Sequence, residues 1–160
     1  MKSKSRTEIH FRSEAFNNSE PKDYFINECC FGDDVCRWLI LRLRSRGFST
    51  ADEPGQEDFG WYFTFHAGEA DHSFVIGLSH GDTPGDTFWR GWLERDHGFF
   101  GSLFGGREKG ILQVACDAIH HALTSSEQIY SISWHIPDDL NDELIGAPHP
   151  SVQFITTWLC

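Results

Sequence analysis

Cysteine and histidine are the residues of this chain best suited to chemistry. Cys29 and Cys30 precede a predicted helix and Cys36 lies in its first turn, where the positive end of a helix lowers a thiol pKa. A reactive thiol is one interpretation of this group. The chain has no CxxC pair, so neither a redox motif nor a zinc knuckle is indicated. We therefore expect its five cysteines to be reduced and structural, behaving as small buried apolar side chains.

Histidine is abundant, with nine in the chain, and one histidine lies at a metal-binding spacing from a cysteine. Cys116 and His120 form an i, i+4 pair on a predicted helix, which could supply two metal ligands. A complete site would need further ligands from His66, His80 or His135 on predicted strands. We predict polar surface histidines instead, with no metal and no cofactor.

Paired acids are a third candidate for chemistry, because two carboxylates can act together in a hydrolase. The pairs are Asp33-Asp34, Glu57-Asp58 and Asp138-Asp139. They fall at a helix start, a strand start and a tail, where acids also serve for capping and solubility. The chain has no GxSxG, HExxH or dinucleotide-binding fingerprint. We assign no catalytic residue, and these absences favour a protein that is not an enzyme.

The segment Gly98–Gly106 is an apolar loop punctuated by glycine and followed by Arg107 and Lys109. It does not match GxxxxGK[ST], so a phosphate loop is not predicted. Its large apolar side chains are Phe99, Phe100, Leu103 and Phe104. The loop either folds back over the sheet as a plug or forms an apolar contact patch, and we favour the plug because exposed Phe clusters promote aggregation.

The elements that must position these groups are organised around Glu57–Arg95, which predicts three antiparallel β-strands joined by two turns. In the first of these strands Trp61, Phe63 and Phe65 share one face. The segment Gly81–Asp86 supplies the second turn, with Gly and Pro at its centre.

Two amphipathic helices flank these strands. The first is predicted from Asp33, as its N-cap, to about Arg46, and the second from Arg107 to Leu123. Helical spacing predicts one core face on each helix, formed by Val35, Cys36, Leu39, Ile40 and Leu43 in the first and by Ile111, Ala115, Ala118, Ile119 and Ala122 in the second. Further strands are predicted at Glu8–Phe16, Phe48–Ala51 and Ile129–Ile136. This order favours an α+β fold, a two-layer sandwich in which a mainly antiparallel sheet of about five strands carries two helices packed on one face.

The chain of 160 residues has the size of one domain. We predict a disordered leader over residues 1–7, a single α+β domain over 8–136 and an irregular tail over 137–160, acidic and then apolar. No apolar run approaches the roughly 20 residues that cross a bilayer, and no apolar region follows the first basic residues as in a secretory signal. These features predict a cytoplasmic protein without a membrane span.

The formal net charge of −11 is unevenly distributed. No Lys or Arg lies between Gly47 and Trp89, and none follows Lys109. Nucleic-acid binding through phosphates needs a basic stripe, so we predict no nucleic-acid partner. The acidic balance favours a basic protein partner or simple solubility.

Candidate binding residues come from three features. Trp38 and Leu41 fall on the side of the first helix opposite its core face, which predicts an interface with a second copy, as in a homodimer, or with the C-terminal tail. The acidic turn predicted at Asp52–Asp58 and the glycine-punctuated loop supply the others, namely Glu57, Asp58, Phe99, Phe100 and Phe104.

We therefore expect a small acidic binding protein of the cytoplasm that neutralises or regulates a protein partner. The alternative is an enzyme or small-ligand-binding domain with a pocket between sheet and helices. Trp61, Tyr62, Trp89 and Trp92, together with histidines, would line that pocket. A closed cavity with convergent polar groups would favour this alternative, and a filled core with exposed aromatics would favour the binder.

Overall fold

A computed structural model describes residues 6–96 and 110–137 of the chain. Within these residues one antiparallel sheet has the strand order β2-β3-β4-β5-β1-β6. The strands are β1 (Glu8–Arg12), β2 (Gly55–Glu57), β3 (Gly60–Ala67), β4 (Ala70–His80), β5 (Thr87–Arg95) and β6 (Tyr130–His135). The helices are α1 (Asp33–Ser45) and α2 (Gln113–Thr124). The predicted α+β fold is confirmed, with six strands in the sheet instead of about five.

Strands β3, β4 and β5 form the predicted meander. Trp61, Phe63 and Phe65 of β3 are buried on one face, because alternate residues of a strand point to the same side. Phe63 lies opposite Phe74 of β4 in the register. The ring of Phe74 in turn fills the space of a side chain at Gly91 of β5, where a Cβ atom would lie 2.4 Å from Cζ.

Strand β1 lies between β5 and β6, so it joins the four strands β2–β5 to β6. Glu8 is opposite Trp92 on one side and His135 on the other. Ile9 points into the core, whereas Glu8 and His10 point to the opposite, outer face of the sheet. The pairing with β6 shifts after His10, close to Ser131, whose φ of 54° is left-handed. The predicted strand at Glu8–Phe16 therefore ends early, at Arg12.

Both helices cover the inner face of the sheet, where they contact each other and β3. The core face of α1 is the predicted one, formed by Val35, Cys36, Leu39, Ile40 and Leu43, all buried. Helix α2 buries Ala115, Ala118, Ile119 and Ala122 of its predicted face, whereas Ile111 lies before the helix begins. The outer face of the sheet has no helix among the described residues.

The start of α1 differs from the prediction. Its N-cap is Gly32, which makes no side-chain capping bond, and Asp33 is the first helical residue with its side chain turned inward. Gly32 has a φ of 138° and packs closely enough that a Cβ atom would lie 3.3 Å from Ile76. Close packing and a positive φ therefore favour glycine at the cap. The prediction that Asp33 is the N-cap was wrong.

The start of α2 and the sheet edge also differ. Gly110 forms a turn with a φ of 77° and α2 begins at Gln113, so the predicted continuous helix from Arg107 was wrong. The predicted strand Phe48–Ala51 contributes a single bridge, between Thr50 and Phe65. The edge strand is instead β2, inside the stretch that we expected to be an acidic turn.

Some predictions fall outside the described residues. These are the leader up to residue 5, the tail from residue 138 onward, and the loop with Phe99, Phe100 and Phe104. They stay predictions.

Candidate functional site

The segment before α1 converges on Asp33, whose side chain is fully buried. Its Oδ2 atom accepts hydrogen bonds from Tyr24, from Arg37 at 2.8 Å and from Lys22 at 3.3 Å. Burial alone would raise the pKa of Asp33, but the bonds from Tyr24 and Lys22 outweigh it and lower the pKa. Lys22 and Arg37 therefore both bind this one buried carboxylate. The Lys22 Nζ atom lies 5.8 Å from the centroid of the Tyr24 ring, and the Arg37 Cζ atom lies 5.5 Å from it.

Gln56 of β2 fixes this segment against the sheet edge. Its Oε1 atom accepts the main-chain N–H of Ile26 at 2.6 Å, and its amide nitrogen donates to the carbonyl of Asn27 at 3.1 Å. One strand further in, the Trp61 indole donates to the carbonyl of Cys30 at 2.7 Å. Residues 20–30 therefore lie beside residues 52–59, although the two segments are far apart in sequence.

We call the exposed side chains of residues 20–28 and 52–59, together with Leu41, the acidic–apolar surface. Its large apolar side chains are Tyr24, Ile26, Leu41 and Phe59, with exposed fractions of 50%, 76%, 66% and 38%. Its exposed acids are Glu20, Asp23, Glu28, Asp52, Glu53, Glu57 and Asp58. Lys22 is the only cation of the two segments, and Asp33 already binds it. The surface therefore combines apolar side chains with a strong excess of negative charge.

Leu41 belongs to this surface because of its place on α1. Arg37 and Arg44 flank it on the same face of the helix and bind Glu53 at 3.1 Å and Asp52 at 2.7 Å. The acidic candidates Glu57 and Asp58 are exposed and make no ion pair within the described part of the chain. The arginines that flank Leu41 thus bind the start of the acidic segment, whereas Glu57 and Asp58 lie at its other end, where β2 finishes.

Trp38 lies elsewhere, although it was predicted together with Leu41. Its ring is 5.7 Å from the ring of Phe16, edge-on, and the Arg42 guanidinium lies 5.1 Å above it. These contacts within the chain explain a half-buried Trp on this side of α1. An interface at Trp38 with a second copy stays a prediction.

Sequence analysis missed Tyr24 and Ile26. Only Phe25 of this triplet is buried, where it packs 5.2 Å from the ring of Trp61. The signal in the sequence is that this apolar triplet is short and lies between Asp23 and Glu28, which is unlike a core segment. It could not be used because nothing in the sequence indicates that Gln56 binds this stretch.

The cysteines mostly match the expectation. Cys30, Cys36 and Cys116 are buried free thiols. Burial raises the pKa of Cys116 to about 11 and that of Cys36 well above its ordinary value, so neither is an activated nucleophile. Cys29 is disulfide-bonded, which makes the expectation of five free thiols wrong at this residue.

Cys116 and His120 have metal-binding spacing, but Cys116 is buried and His120 bonds to another side chain. His120 accepts a hydrogen bond from the Trp134 indole through Nδ1 at 3.1 Å. Across residues 6–96 and 110–137, no cluster of three or more potential ligand side chains could hold a metal ion.

The four aromatic residues suggested for an internal pocket do not share one. Trp61 and Trp89 are buried in the core, whereas Tyr62 and Trp92 alternate with buried neighbours and belong to the outer face of the sheet. Two histidines, His10 and His135, instead line a cleft on that outer face.

Neither helix of the described segments has the length and apolar character needed to cross a membrane. No protein-family model, curated protein or solved structure matches this chain.

Proposed function

We propose that the chain is a binding protein that neutralises or regulates a basic protein partner through the acidic–apolar surface. The observation that carries this proposal is Ile26. Its side chain is the most exposed large apolar group of the described residues, yet its backbone is fixed by Gln56. An isolated exposed apolar residue needs no explanation, but a fixed one among seven acids and three further apolar side chains suits recognition.

The two components of the surface serve different parts of binding. Burying a side chain such as Ile26 or Leu41 under a partner contributes about 1.5–3 kcal/mol. The acids attract a basic partner over a longer distance and disfavour acidic competitors. Because Glu57 and Asp58 have no cation of their own within the described residues, they remain available for a partner's Lys or Arg.

Self-association is the second form of this proposal, and Leu41 supports it as an exposed large apolar residue of α1. A homodimer built on this surface would bring two acidic sets together, which is unfavourable. A basic partner is therefore the better match to the charge.

The cytoplasm is the proposed location. The support is that Cys30, Cys36 and Cys116 are free, while the disulfide at Cys29 counts against it. Thiol counting on protein taken directly from the producing cell tests this point.

The experiment compares partner capture by the wild type and two double variants. Ile26→Ser with Glu57→Lys changes the acidic–apolar surface, and Val114→Ser with Glu127→Lys makes the corresponding apolar-to-serine and acid-to-lysine changes at exposed positions in and just after α2. Proteins cross-linked by the wild type should be retained by the control and lost with the first variant, at unchanged melting temperature. Retained proteins should be basic and should dissociate as salt is raised.

Equal capture by both double variants would refute the acidic–apolar surface as the binding site. Mass in solution provides the second arm. If the wild type is dimeric and Leu41→Ser makes it monomeric, self-association replaces the basic partner as the function of the surface.

A further inference from the structure

The outer face of the sheet has a cleft of about 300 Å³ where β1, β5 and β6 run side by side. This volume is at the lower end of the range for small-molecule sites. The residues used below are Arg12, His10, Phe88, Ser131, Ser133 and His135, all of which line it. The cleft is separate from the acidic–apolar surface, so the inference does not depend on the proposed function.

Three rings form a row along this cleft. The ring centroids of Phe88 and His10 are 4.8 Å apart, and those of His10 and His135 are 4.1 Å apart. Each ring comes from a different strand, β5, β1 and β6, so the sheet fixes their order. A flat aromatic ligand could stack on such a row.

Arg12 gives the cleft a cation with unused donors. Its NH1 group binds the Asp86 carboxylate and the carbonyl of Thr87, both at 2.7 Å. A guanidinium has five N–H donors, and no other bond of Arg12 is made within the described residues. The fork that remains is suited to two oxygens of one carboxylate, although Asp86 offsets part of the charge.

The second arginine of this region is not available. Arg90 donates to both oxygens of Glu8, at 2.9 and 2.8 Å, and Glu8 also accepts a bond from His10 at 2.7 Å. This pair is largely buried and electrically balanced, and the bond from His10 to Glu8 holds the His10 ring in the lining of the cleft. Arg12 is therefore the cation of the cleft that can meet an anion.

Hydroxyl groups of β6 complete the polar wall. Ser133 bonds to Nε2 of His135 at 2.8 Å. Ser131 lines the same cleft with a left-handed backbone, a conformation that costs energy for a residue other than glycine and that is frequent in ligand-binding segments.

From this arrangement we propose that the cleft binds a small aromatic carboxylate. The ring stacks on the row formed by Phe88, His10 and His135, and the carboxylate takes the free donors of Arg12 and the hydroxyl of Ser131. Affinity should increase on acidification. Burial lowers the pKa of His135, as do the neighbouring positive charges of His10, Arg6 and Arg90, whereas Glu8 raises it. The net shift in pKa is downward, so this ring gains its positive charge only below its ordinary range.

The test is a titration of the full chain with benzoate, followed by NMR of the backbone amides and histidine rings. Benzamide has the ring without the charge, and cyclohexanecarboxylate has the charge without the aromatic ring. Benzoate should shift the signals of His10, Phe88, Ser131 and His135, and each comparison compound should bind at least about tenfold more weakly. Equal binding of all three compounds, or no shift in the cleft at the highest soluble benzoate concentration, would overturn the proposal.

Variants locate the two contacts. Phe88→Leu removes a ring but keeps apolar volume, and Arg12→Gln removes the charge; each should weaken benzoate at least about tenfold. His66→Gln is the matched control, because His66 is exposed on β3 outside the cleft and pairs with Asp71. If Arg12→Gln does not fold, Phe88→Leu and the benzamide comparison still decide. Unchanged affinity in Phe88→Leu would contradict stacking.

Discussion

Glu8 and Asp33 are two buried carboxylates that each bind an arginine, but they tie together different parts of the chain. Glu8 uses both oxygens, with Arg90 of β5 and His10 of β1 as donors. Asp33 uses one oxygen, and its donors come from its own helix and the loop before it. The other oxygen, Oδ1, has no hydrogen-bond partner within the described residues. One carboxylate therefore holds two strands of the sheet together, and the other holds a loop on a helix.

This difference indicates in which region a buried charge contributes to the free energy of unfolding of the whole fold. Removing a donor from Glu8 leaves a charge buried between strands that must stay paired for the sheet to exist. Removing a donor from Asp33 leaves partners such as Lys22, which is 42% exposed at its side chain and can be hydrated. The same chemical group should accordingly show a large effect in one region and a local effect in the other.

The largest expected effect is that of Arg90→Leu. Breaking a buried ion pair by removing one partner should lower the free energy of unfolding by about 4 kcal/mol. The matched variant Arg37→Leu removes the arginine of Asp33, which is 41% exposed, and should lower it by about 1 kcal/mol. Urea unfolding of both variants measures this comparison, and equal losses would contradict it.

The second prediction concerns acid. Burial would raise the pKa of Glu8, but bonds from His10 and Arg90 lower it from 4.5 to about 2. A carboxyl with a lowered pKa in the folded state stabilises the fold above pH 4.5, and this contribution is lost as pH falls towards 2. Glu8→Gln should therefore be less stable than the wild type by about 3 kcal/mol at neutral pH. The gap should close between pH 4.5 and 2, as measured by thermal unfolding at each pH.

An unchanged gap across this interval would show that Glu8 acts through its shape or its hydrogen bonds and not through its charge. Asp52→Asn is the control, because Asp52 is 97% exposed at its side chain and should show no measurable difference from the wild type at any pH.

The smallest expected effect is that of Asp33→Asn. The substitution weakens the bonds from Lys22, Tyr24 and Arg37 but also removes a buried charge with an unpartnered oxygen, so the net loss should be about 1 kcal/mol. Hydrogen exchange should become faster in residues 22–33 and stay unchanged in β1 and β5. Faster exchange throughout the sheet would mean that Asp33 also supports the global fold.

The sequence predicted the parts of this molecule that depend on local pattern. Alternation placed Trp61, Phe63 and Phe65 on the core face of β3, and helical spacing placed Leu39 and Ile119 on the core faces of the two helices. Turn residues marked the loop between β4 and β5. These features need only residues a few positions apart.

The contacts that join distant segments could not be predicted from the sequence. Nothing near Ile9 indicates that β1 pairs with β5 and β6, so the group formed by Glu8, His10, Arg90 and His135 was not foreseen. The same holds for Gln56, which binds residues 26 and 27. The N-cap prediction failed for a related reason. An acid at the start of a predicted helix resembles an N-cap, and the sequence does not show that Gly32 packs against Ile76.

The central place of β1 also sets an order of events during synthesis. Strands β3, β4 and β5 are consecutive, so their hairpins can form while the chain is still being made. Strand β1 is made first, yet Glu8 finds Trp92 only after β5 and His135 only after β6. During that interval Ile9 and Phe11 have no core to enter, and the backbone of β1 can pair with any other open strand. We therefore expect the growing chain to stay prone to aggregation until β6 is released, so that translation speed and chaperone access should affect its yield.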